Sequence, residues 1–343
     1  MARYLLRPPT AAAAAAASSH RRNGTTSPRG PVLGLRALAS RAGKARPVMA
    51  VASEQPAARG KCPKVAAPTT GPIPAAELLG VIQEAARAGA EVIMEAVNKP
   101  RNIHYKGVAD LVTDTDKLSE SVILEVVRKT FPDHLILGEE VILPPLDGTT
   151  NFAHGYPSFS VSIGVLFRGK PAASTVVEFC GGPMCWSTRG GAYCNGQKIH
   201  VSKTDKVEQS LLVTGFGYEH DDAWVTNINL FKEYTDISRG VRRLGSAAAD
   251  MSHVALGITE AYWEYRLKPW DMAAGVLIVE EAGGMVSRMD GGEFTVFDRS
   301  VLVSNGVVHD QLLDRIGPAT EDLKKKGIDF SLWFKPDKYP TDF

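Results

Sequence analysis

The chain has 343 residues, of which 44% are hydrophobic and 22% are charged, and its formal net charge is +1 at pH 7. This composition is typical of a globular protein with a sizeable core. No apolar run reaches the roughly 18 to 20 residues that a membrane-spanning helix needs, so we expect no membrane partner.

The first 53 residues contain nine Lys or Arg, no Asp or Glu, and an alanine run at 11–17. We predict a transit peptide over residues 1–53, directed to the chloroplast stroma, with the mitochondrion as second choice and a retained disordered tail as the alternative. The rest of the chain has 30 basic and 38 acidic residues, a charge near −8. This excess of acid argues against nucleic-acid binding and suits a carboxylate cluster neutralised by cations.

Composition also suggests the domain boundaries. Residues 54–73 are rich in Pro, Ala and small polar residues without a period, which predicts a linker. The last predicted helix ends at residue 325. We therefore predict one folded domain over 74–326 and a tail over 327–343. The four cysteines form no C-x-x-C pair, and reduced packing residues are expected.

The first predicted elements are two amphipathic helices, over 74–97 and 115–130, whose apolar residues recur at spacings of three and four. The second helix begins beside Asp114 and Asp116, for which N-terminal capping is the structural alternative to a chemical role. A strand is predicted at 135–137, and alternation over 158–179 predicts a hairpin.

Shorter elements follow, and their mixed order predicts an α/β (α+β) fold with layered architecture. The predicted strands lie at 184–188, 192–199, 211–216, 241–244, 259–265, 284–288 and 300–303, and the predicted helices at 222–236, 246–256, 270–282 and 308–325.

Acidic residues at predicted loops and element ends are the candidate metal ligands. Magnesium prefers oxygen ligands, keeps several waters and is commonly held by a few carboxylates together with a substrate phosphate. Gly148, Thr149 and Thr150 add a small turn whose hydroxyls and N–H groups suit phosphate oxygens, although a plain turn before a strand is the alternative. The candidate carboxylates are Glu139, Glu140, Asp147, Asp271, Asp114 and Asp116.

Four motifs occur in an order that resembles the inositol monophosphatase family: VTDTD at 112–116, GEE at 138–140, PLDGTTNF at 145–152 and KPWDMAAG at 268–275. The resemblance covers about residues 75–315 and is greatest to plant chloroplast members. It implies an α-β-α-β-α sandwich, a Mg²⁺-dependent and lithium-sensitive phosphatase for a small phosphorylated polyol such as myo-inositol monophosphate, and a homodimer.

The resemblance also implies roles for individual residues. Glu139 and the Leu146 carbonyl would hold a first metal, and Asp147 and Asp271 a second. Asp116 would help to hold a third metal and, with Thr149, orient and deprotonate the attacking water. The phosphate would contact residues 147–150, which are Asp147, Gly148, Thr149 and Thr150, and the alcohol would meet Gly245, Ser246 and Glu264.

One position departs from the family motif, which reads Asp-Pro-(Ile/Leu)-Asp-Gly-Thr and uses its first Asp to bridge two metals. Pro144 stands there instead, and only seven residues separate Glu139 from Asp147. Splicing, an imperfect gene model and true divergence would each account for such a loss. A catalytically impaired protein retained for binding or assembly is therefore one alternative, and a phosphatase for bisphosphorylated nucleotides, fructose bisphosphate or histidinol phosphate is another.

Overall fold

Seven α-helices and thirteen strands alternate along the described part of the chain. The computed structural model describes residues 63–100, 102–105, 111–136, 146–179, 184–188 (backbone only), 190–333 and 341. The helices are α1 (Ala75–Ala96), α2 (Asp114–Thr130), α3 (Thr149–His154), α4 (Asp222–Ile237), α5 (Ala247–Ala255), α6 (Pro269–Glu281) and α7 (His309–Lys325). Within these residues no helix is long and apolar enough to cross a membrane.

The strands form a two-stranded hairpin, a six-stranded antiparallel sheet and a five-stranded mixed sheet. The hairpin is β1 (Ile103–Tyr105) and β2 (Leu111–Thr113). The six-stranded sheet, in spatial order, is β3 (Leu146–Asp147), β4 (Ser160–Phe167), β5 (Lys170–Glu178), β6 (Met184–Thr188), β7 (Gly191–Cys194) and β8 (Gln197–Lys198). The five-stranded sheet is β10 (Gly240–Arg242), β9 (Leu211–Thr214), β11 (Ala261–Tyr265), β13 (Ser300–Ser304) and β12 (Met285–Ser287).

The helices and the two larger sheets stack in five layers. Helices α1 and α2 pack on one face of the six-stranded sheet, while α5 and α6 lie between the two sheets. Helices α4 and α7 cover the far face of the five-stranded sheet. The layered α-β-α-β-α architecture expected from the sequence is therefore confirmed.

Strand β11 shows why the middle of this stack is apolar on both sides. Tyr262 points into the layer of α5 and α6, whereas the next residue, Trp263, points into the layer of α4 and α7. Both side chains are fully buried. A strand covered on both faces has apolar residues on both faces, and burying each large side chain contributes about 2 to 3 kcal/mol.

Several short elements differ from the sequence predictions. Of the predicted strand at 135–137, residues 135 and 136 form no strand and Leu135 is 77% exposed, while residue 137 lies outside the described residues. The predicted turn at 148–150 leads into helix α3. The predicted strand over 192–199 is two strands, β7 and β8, because Asn195 and Gly196 take left-handed backbone angles and turn the chain.

The described part of the predicted linker lies against the folded body. Val65 and Ala67 are buried, and the backbone N–H groups of Val65 and Ala66 donate to the Glu280 carboxylate over 2.6 and 2.8 Å. Because the apolar residues of this segment have no regular spacing, the sequence did not predict that it packs on the folded body. The domain limits at 74 and 326 stay predictions.

Candidate active site

A cavity of about 450 Å³ opens where both large sheets and the first turns of α3, α5 and α6 come together. Its wall includes seven residues that the sequence marked as candidates, which come from four separate parts of the chain. These residues are Leu146, Asp147, Gly148, Thr149, Gly245, Glu264 and Asp271.

The segment from Leu146 to Thr149 turns abruptly from strand β3 into helix α3. Gly148 makes this turn with a φ of 91°, in the left-handed region. A Cβ at this position would also lie 2.9 Å from the Ser158 carbonyl oxygen. Glycine is therefore needed for both conformation and space, and it places Thr149 at the cavity directly after Asp147.

Thr149 and Asp116 are joined by a hydrogen bond at the edge of the cavity. The Thr149 hydroxyl donates to Asp116 Oδ1 over 2.8 Å and lies 3.3 Å from the Leu146 carbonyl oxygen. The other oxygen of Asp116 caps helix α2 by accepting from the Thr113 N–H over 2.8 Å. Burial raises the pKa of Asp116, although the hydrogen bonds from Thr113 and Thr149 oppose the shift. Thr149 thus connects a buried carboxylate to the cavity.

Asp147 is held from behind by the first turn of helix α5. Its Oδ2 accepts from the Ser246 hydroxyl over 2.6 Å and from the Ala248 N–H over 2.8 Å. These donors and the positive end of the helix favour the carboxylate anion. Burial nevertheless raises the pKa of Asp147. A cation in the cavity would favour the ionised form further.

Glu264 lies on the opposite wall, at the buried end of strand β11. The Tyr262 hydroxyl donates to its Oε2. A Cβ on Gly215 would collide with the same carboxylate, so a glycine at 215 makes room for it. Burial raises the pKa of Glu264 to about 7, with Asp147 adding to the shift and the Tyr262 hydrogen bond and Arg243 opposing it.

Asp271 lines the cavity from the first turn of helix α6. Its Oδ2 accepts from the Lys268 N–H over 2.8 Å, and Pro269 begins the helix with the φ that the first turn requires. The Lys268 ammonium lies 5.5 Å from the centroid of the Trp270 ring, and both side chains line the cavity. Positive and aromatic groups therefore lie next to the acidic wall.

Among the described residues, three other predicted site residues do not lie on the cavity wall, namely Asp116, Ser246 and Thr150. Ser246 is buried behind Asp147 and binds its carboxylate. The Thr150 hydroxyl is buried and has no hydrogen-bond partner among the described residues. Glu139 lies outside the described residues, together with Glu140 and Pro144.

Three further residues shape this site: the sequence left Arg243 open between a substrate or interface contact and a solvated strand end, and it assigned no role to Asn151 or Asp250. Arg243 lines the cavity and forms no ion pair among the described residues. Asn151 donates to the Ser158 and Leu244 carbonyl oxygens over 2.6 Å each, which joins α3 to the loop before α5. Asp250 is fully buried, and neither of its oxygens has a hydrogen-bond partner within the described ranges. The only available signal for Asn151 was its place within the PLDGTTNF motif.

Asp250 is thus a buried carboxyl group without a hydrogen-bond donor among the described residues. Burial raises the pKa of Asp250 well above its usual range, and the neighbouring Asp147, Glu264 and Glu178 raise it further, whereas Arg243 opposes the shift. No three His, Cys, Asp or Glu side chains converge into a ligand cluster in the parts of the chain that the structure describes. The donors present are the carboxylates of Asp147 and Asp271 and the Leu146 carbonyl, an all-oxygen set that fits Mg²⁺, which retains waters.

The fold and the site together define an enzyme that acts on phosphate esters. The chain belongs to the inositol monophosphatase family, because the model of that family matches residues 75–144 and 141–324. The two matched segments overlap at residues 141–144, shortly before Asp147. Family membership makes the protein a phosphoric monoester hydrolase.

Named relatives agree with this assignment. The chain is 72% identical to the chloroplastic phosphatase IMPL1 of Arabidopsis thaliana over 82% of this chain and 81% of that protein. It is 41% identical to an inositol-1-monophosphatase of Synechocystis over 68% of this chain and 86% of the relative. A solved structure of inositol monophosphatase from Anabaena matches with 37% identity and a TM-score of 0.64, covering 72% and 96% of the two chains.

Proposed function

We propose that the protein hydrolyses a small phosphomonoester in a Mg²⁺-dependent reaction, with myo-inositol monophosphate as the leading substrate. The observation that carries this proposal is the hydrogen bond between Thr149 and Asp116 at the cavity that contains Asp147 and Asp271. The Synechocystis relative, named for inositol 1-monophosphate, supports the choice of substrate.

The metal ligands on this proposal are Asp147, Asp271, the Leu146 carbonyl, Asp116 and Glu139. Magnesium, when bound, lowers the pKa of a water and neutralises phosphate charge. Backbone N–H groups at 148–150 meet the phosphate oxygens, and the positive side chains of Arg243 and Lys268 add attraction. Gly245 and Glu264 meet the alcohol, while Ser246 acts through Asp147.

The chain's own residues supply the proton transfer. The Thr149 hydroxyl donates a hydrogen bond to Asp116. The lone pairs of its oxygen are therefore free to accept a hydrogen bond from a water in the cavity. As that water attacks phosphorus, its proton passes to Thr149 and the threonine proton passes to Asp116 Oδ1. In the metal-free chain burial raises the pKa of Asp116, which favours acceptance of this proton.

Steady-state kinetics with increasing Mg²⁺ test the proposal. We expect metal-dependent release of phosphate from myo-inositol monophosphate, faster than from fructose bisphosphate, histidinol phosphate or a nucleoside 3′,5′-bisphosphate. Thr149→Val should lower kcat by about 10² to 10⁴-fold, the usual contribution of acid–base catalysis, whereas Thr149→Ser retains the hydroxyl and most of the rate. Equal rates for Val and Ser would refute the role of the hydroxyl.

A catalytically impaired protein is the second candidate, and two observations favour it. Pro144 stands where the resemblance implies an Asp that bridges two metals, and the family model matches in two segments that overlap at 141–144. Proline offers no side-chain ligand. This candidate predicts no Mg²⁺-dependent turnover with any of the esters, and a gain of turnover in Pro144→Asp.

The targeting, domain and assembly predictions are proposals as well. We propose that residues 1–53 direct the chain to the chloroplast stroma, which the chloroplastic Arabidopsis relative supports. The mitochondrion remains the second choice, and a fluorescent fusion of the full chain distinguishes the two organelles. Inhibition by lithium and a homodimer follow from the family resemblance.

A further inference from the structure

The C-terminal strap, defined as residues 327–333, follows the last helix and lies beyond the segments that the family model matches. The sequence predicted a tail here. The strap instead packs on the folded body: Ile328 and Phe330 contact the core that α4 and α7 cover. The Phe330 ring lies 6.1 Å from the Tyr265 ring, and the backbone N–H of Trp333 donates to the Phe297 carbonyl oxygen over 2.7 Å.

Arg299 fixes the conformation of this strap. Its Nε donates to the Ser331 carbonyl over 2.7 Å, and its guanidinium forms a 2.9 Å ion pair with Asp329. The same guanidinium lies 3.6 Å from the centroid of the Trp333 ring, within the range of a cation–π contact. The Arg299 side chain is 14% exposed, whereas its partner Asp329 is 59% exposed, so the guanidinium is largely buried and the ion pair faces solvent. Trp333 is therefore held in place before any ligand enters.

The position that Trp333 takes is on the wall of the candidate active site. The wall near it is aromatic, with Trp270, Phe216 and Tyr218 also lining the cavity. Small-molecule sites commonly combine such apolar surfaces with a few placed polar groups. Here Glu264 and Arg243 are the polar groups available to hydroxyls.

The charge near the strap disfavours a second phosphate. Arg266, a cation on this wall, is already paired with Glu219 over 3.2 Å and with Asp221. Asp329, on the strap itself, also interacts with Arg266. Acidic residues thus surround Arg266, and its charge is already paired where a second phosphate would contact it.

We infer that Trp333 is a specificity-determining residue that restricts the leaving group to a compact, uncharged ring alcohol. The apolar C–H face of such an alcohol packs on the indole while its hydroxyls meet Glu264 and Arg243. A nucleoside 3′,5′-bisphosphate is disfavoured where its second phosphate would meet Arg266, whose charge is already paired with Glu219 and Asp221. The inference rests on the proposed hydrolysis of phosphomonoesters.

The test compares kcat and KM of the full chain for myo-inositol monophosphate and a nucleoside 3′,5′-bisphosphate in Mg²⁺. Trp333→Ala should raise KM for the inositol ester by about tenfold, leave kcat within about twofold, and lower the ratio of kcat/KM for the two esters by at least about tenfold. Trp333→Phe should retain most of that ratio. The matched control is Leu332→Ala, because Leu332 is a neighbouring strap residue that is 42% exposed and does not line the cavity.

Two results would overturn the inference. One is an unchanged ratio in Trp333→Ala, equal to that of Leu332→Ala. The other is an equal loss of kcat for both esters with a lowered thermal midpoint, which would mean that Trp333 only stabilises the fold.

Failure of the proposed function is recognised separately, as a wild-type chain that hydrolyses neither ester. Calorimetric affinities for the same two esters in Mg²⁺ then replace the kinetic ratio. A loss of preference in Trp333→Ala alone would support the inference. Equal preference in all variants, or no binding by the wild type, would refute it.

Discussion

The two oxygens of Asp116 have different partners, and this resolves the two readings that its sequence context allowed. Oδ2 accepts from the N–H of Thr113 and so caps helix α2, whereas Oδ1 accepts from Thr149. The sequence made capping and chemistry look like alternatives because a capping pattern says nothing about the second oxygen. In the folded chain one carboxylate caps the helix and also accepts from Thr149, so capping is compatible with the catalytic role that we propose.

The burial and the pKa of Glu264 depend on neighbouring residues that no sequence motif reveals. The resemblance marked it as an alcohol-binding carboxylate, but its burial, its bond from Tyr262 and the space left by Gly215 are long-range features. Burial raises its pKa from 4.5 to about 7. Between these values the folded chain keeps a proton that the unfolded chain releases, so this group lowers stability as pH rises from 4.5 to 7.

We expect Glu264→Gln to remove that pH dependence in the metal-free protein. As pH rises from 4.5 to 8, the unfolding free energy of Glu264→Gln relative to that of wild type should increase by up to about 3 kcal/mol. Urea unfolding in EDTA at several pH values measures it. Comparing two chains at each pH cancels the titration of groups that do not interact with Glu264. A constant difference would mean that the folded chain does not raise this pKa.

Elements were predicted well where the apolar pattern was long. Helices α1 and α2, the hairpin of β4 and β5, and the elements of the last third lie within a few residues of their predicted limits. The short elements were missed. Strand β3 has only two residues and helix α3 only six, so neither contains a full period of apolar residues, and each depends on contacts distant in sequence.

Strand β4 and helix α6 approach so closely that Gly164 has no room for a side chain. A Cβ there would lie 2.8 Å from Ala273 Cβ and 3.0 Å from the backbone carbon of the same residue. Backbone atoms of a packed helix cannot rotate away as a side chain does. We expect Gly164→Ala to lower the free energy of unfolding by about 1 to 3 kcal/mol, the usual range for overpacking, as measured by chemical denaturation.

Gly80 is the matched control for that substitution. It is exposed in the interior of helix α1, and a Cβ there meets nothing within 4 Å. Gly80→Ala should raise stability by about 0.5 to 1 kcal/mol, because alanine loses less backbone freedom in a helix. If both variants change stability in the same direction and by the same amount, the close approach of β4 and α6 has no energetic consequence.

At the scale of the whole molecule, the order of the layers came from the resemblance and not from the residues. Composition and element order indicate only a mixed, layered fold. The assembly of the site depends on contacts such as Asp147 with Ser246, which are 99 positions apart. No local pattern encodes such a contact, and the strap that carries Trp333 lies beyond every motif.

The stack brings several buried carboxyl groups together between its two sheets, and a cation that binds there should stabilise the fold. Burial raises the pKa of Asp147, and Asp250 has no donor within the described residues. A cation bound only by the folded chain stabilises it by about 2.7 kcal/mol at a hundred times its Kd. For a chain of this size we expect Mg²⁺ to raise Tm by about 5 to 10 °C over its value in EDTA.

Asp147→Asn tests whether that gain depends on the site. The variant removes one ligand charge while keeping an oxygen that can accept from Ser246 and Ala248, so the Mg²⁺-dependent rise in Tm should fall below about 2 °C. Asp236→Asn is the control: Asp236 is an exposed residue of α4, paired with Lys232, and its loss should leave the rise intact. Sodium chloride at equal ionic strength separates binding from screening. A rise that sodium reproduces, or that Asp147→Asn retains, would show that Mg²⁺ stabilises the chain elsewhere.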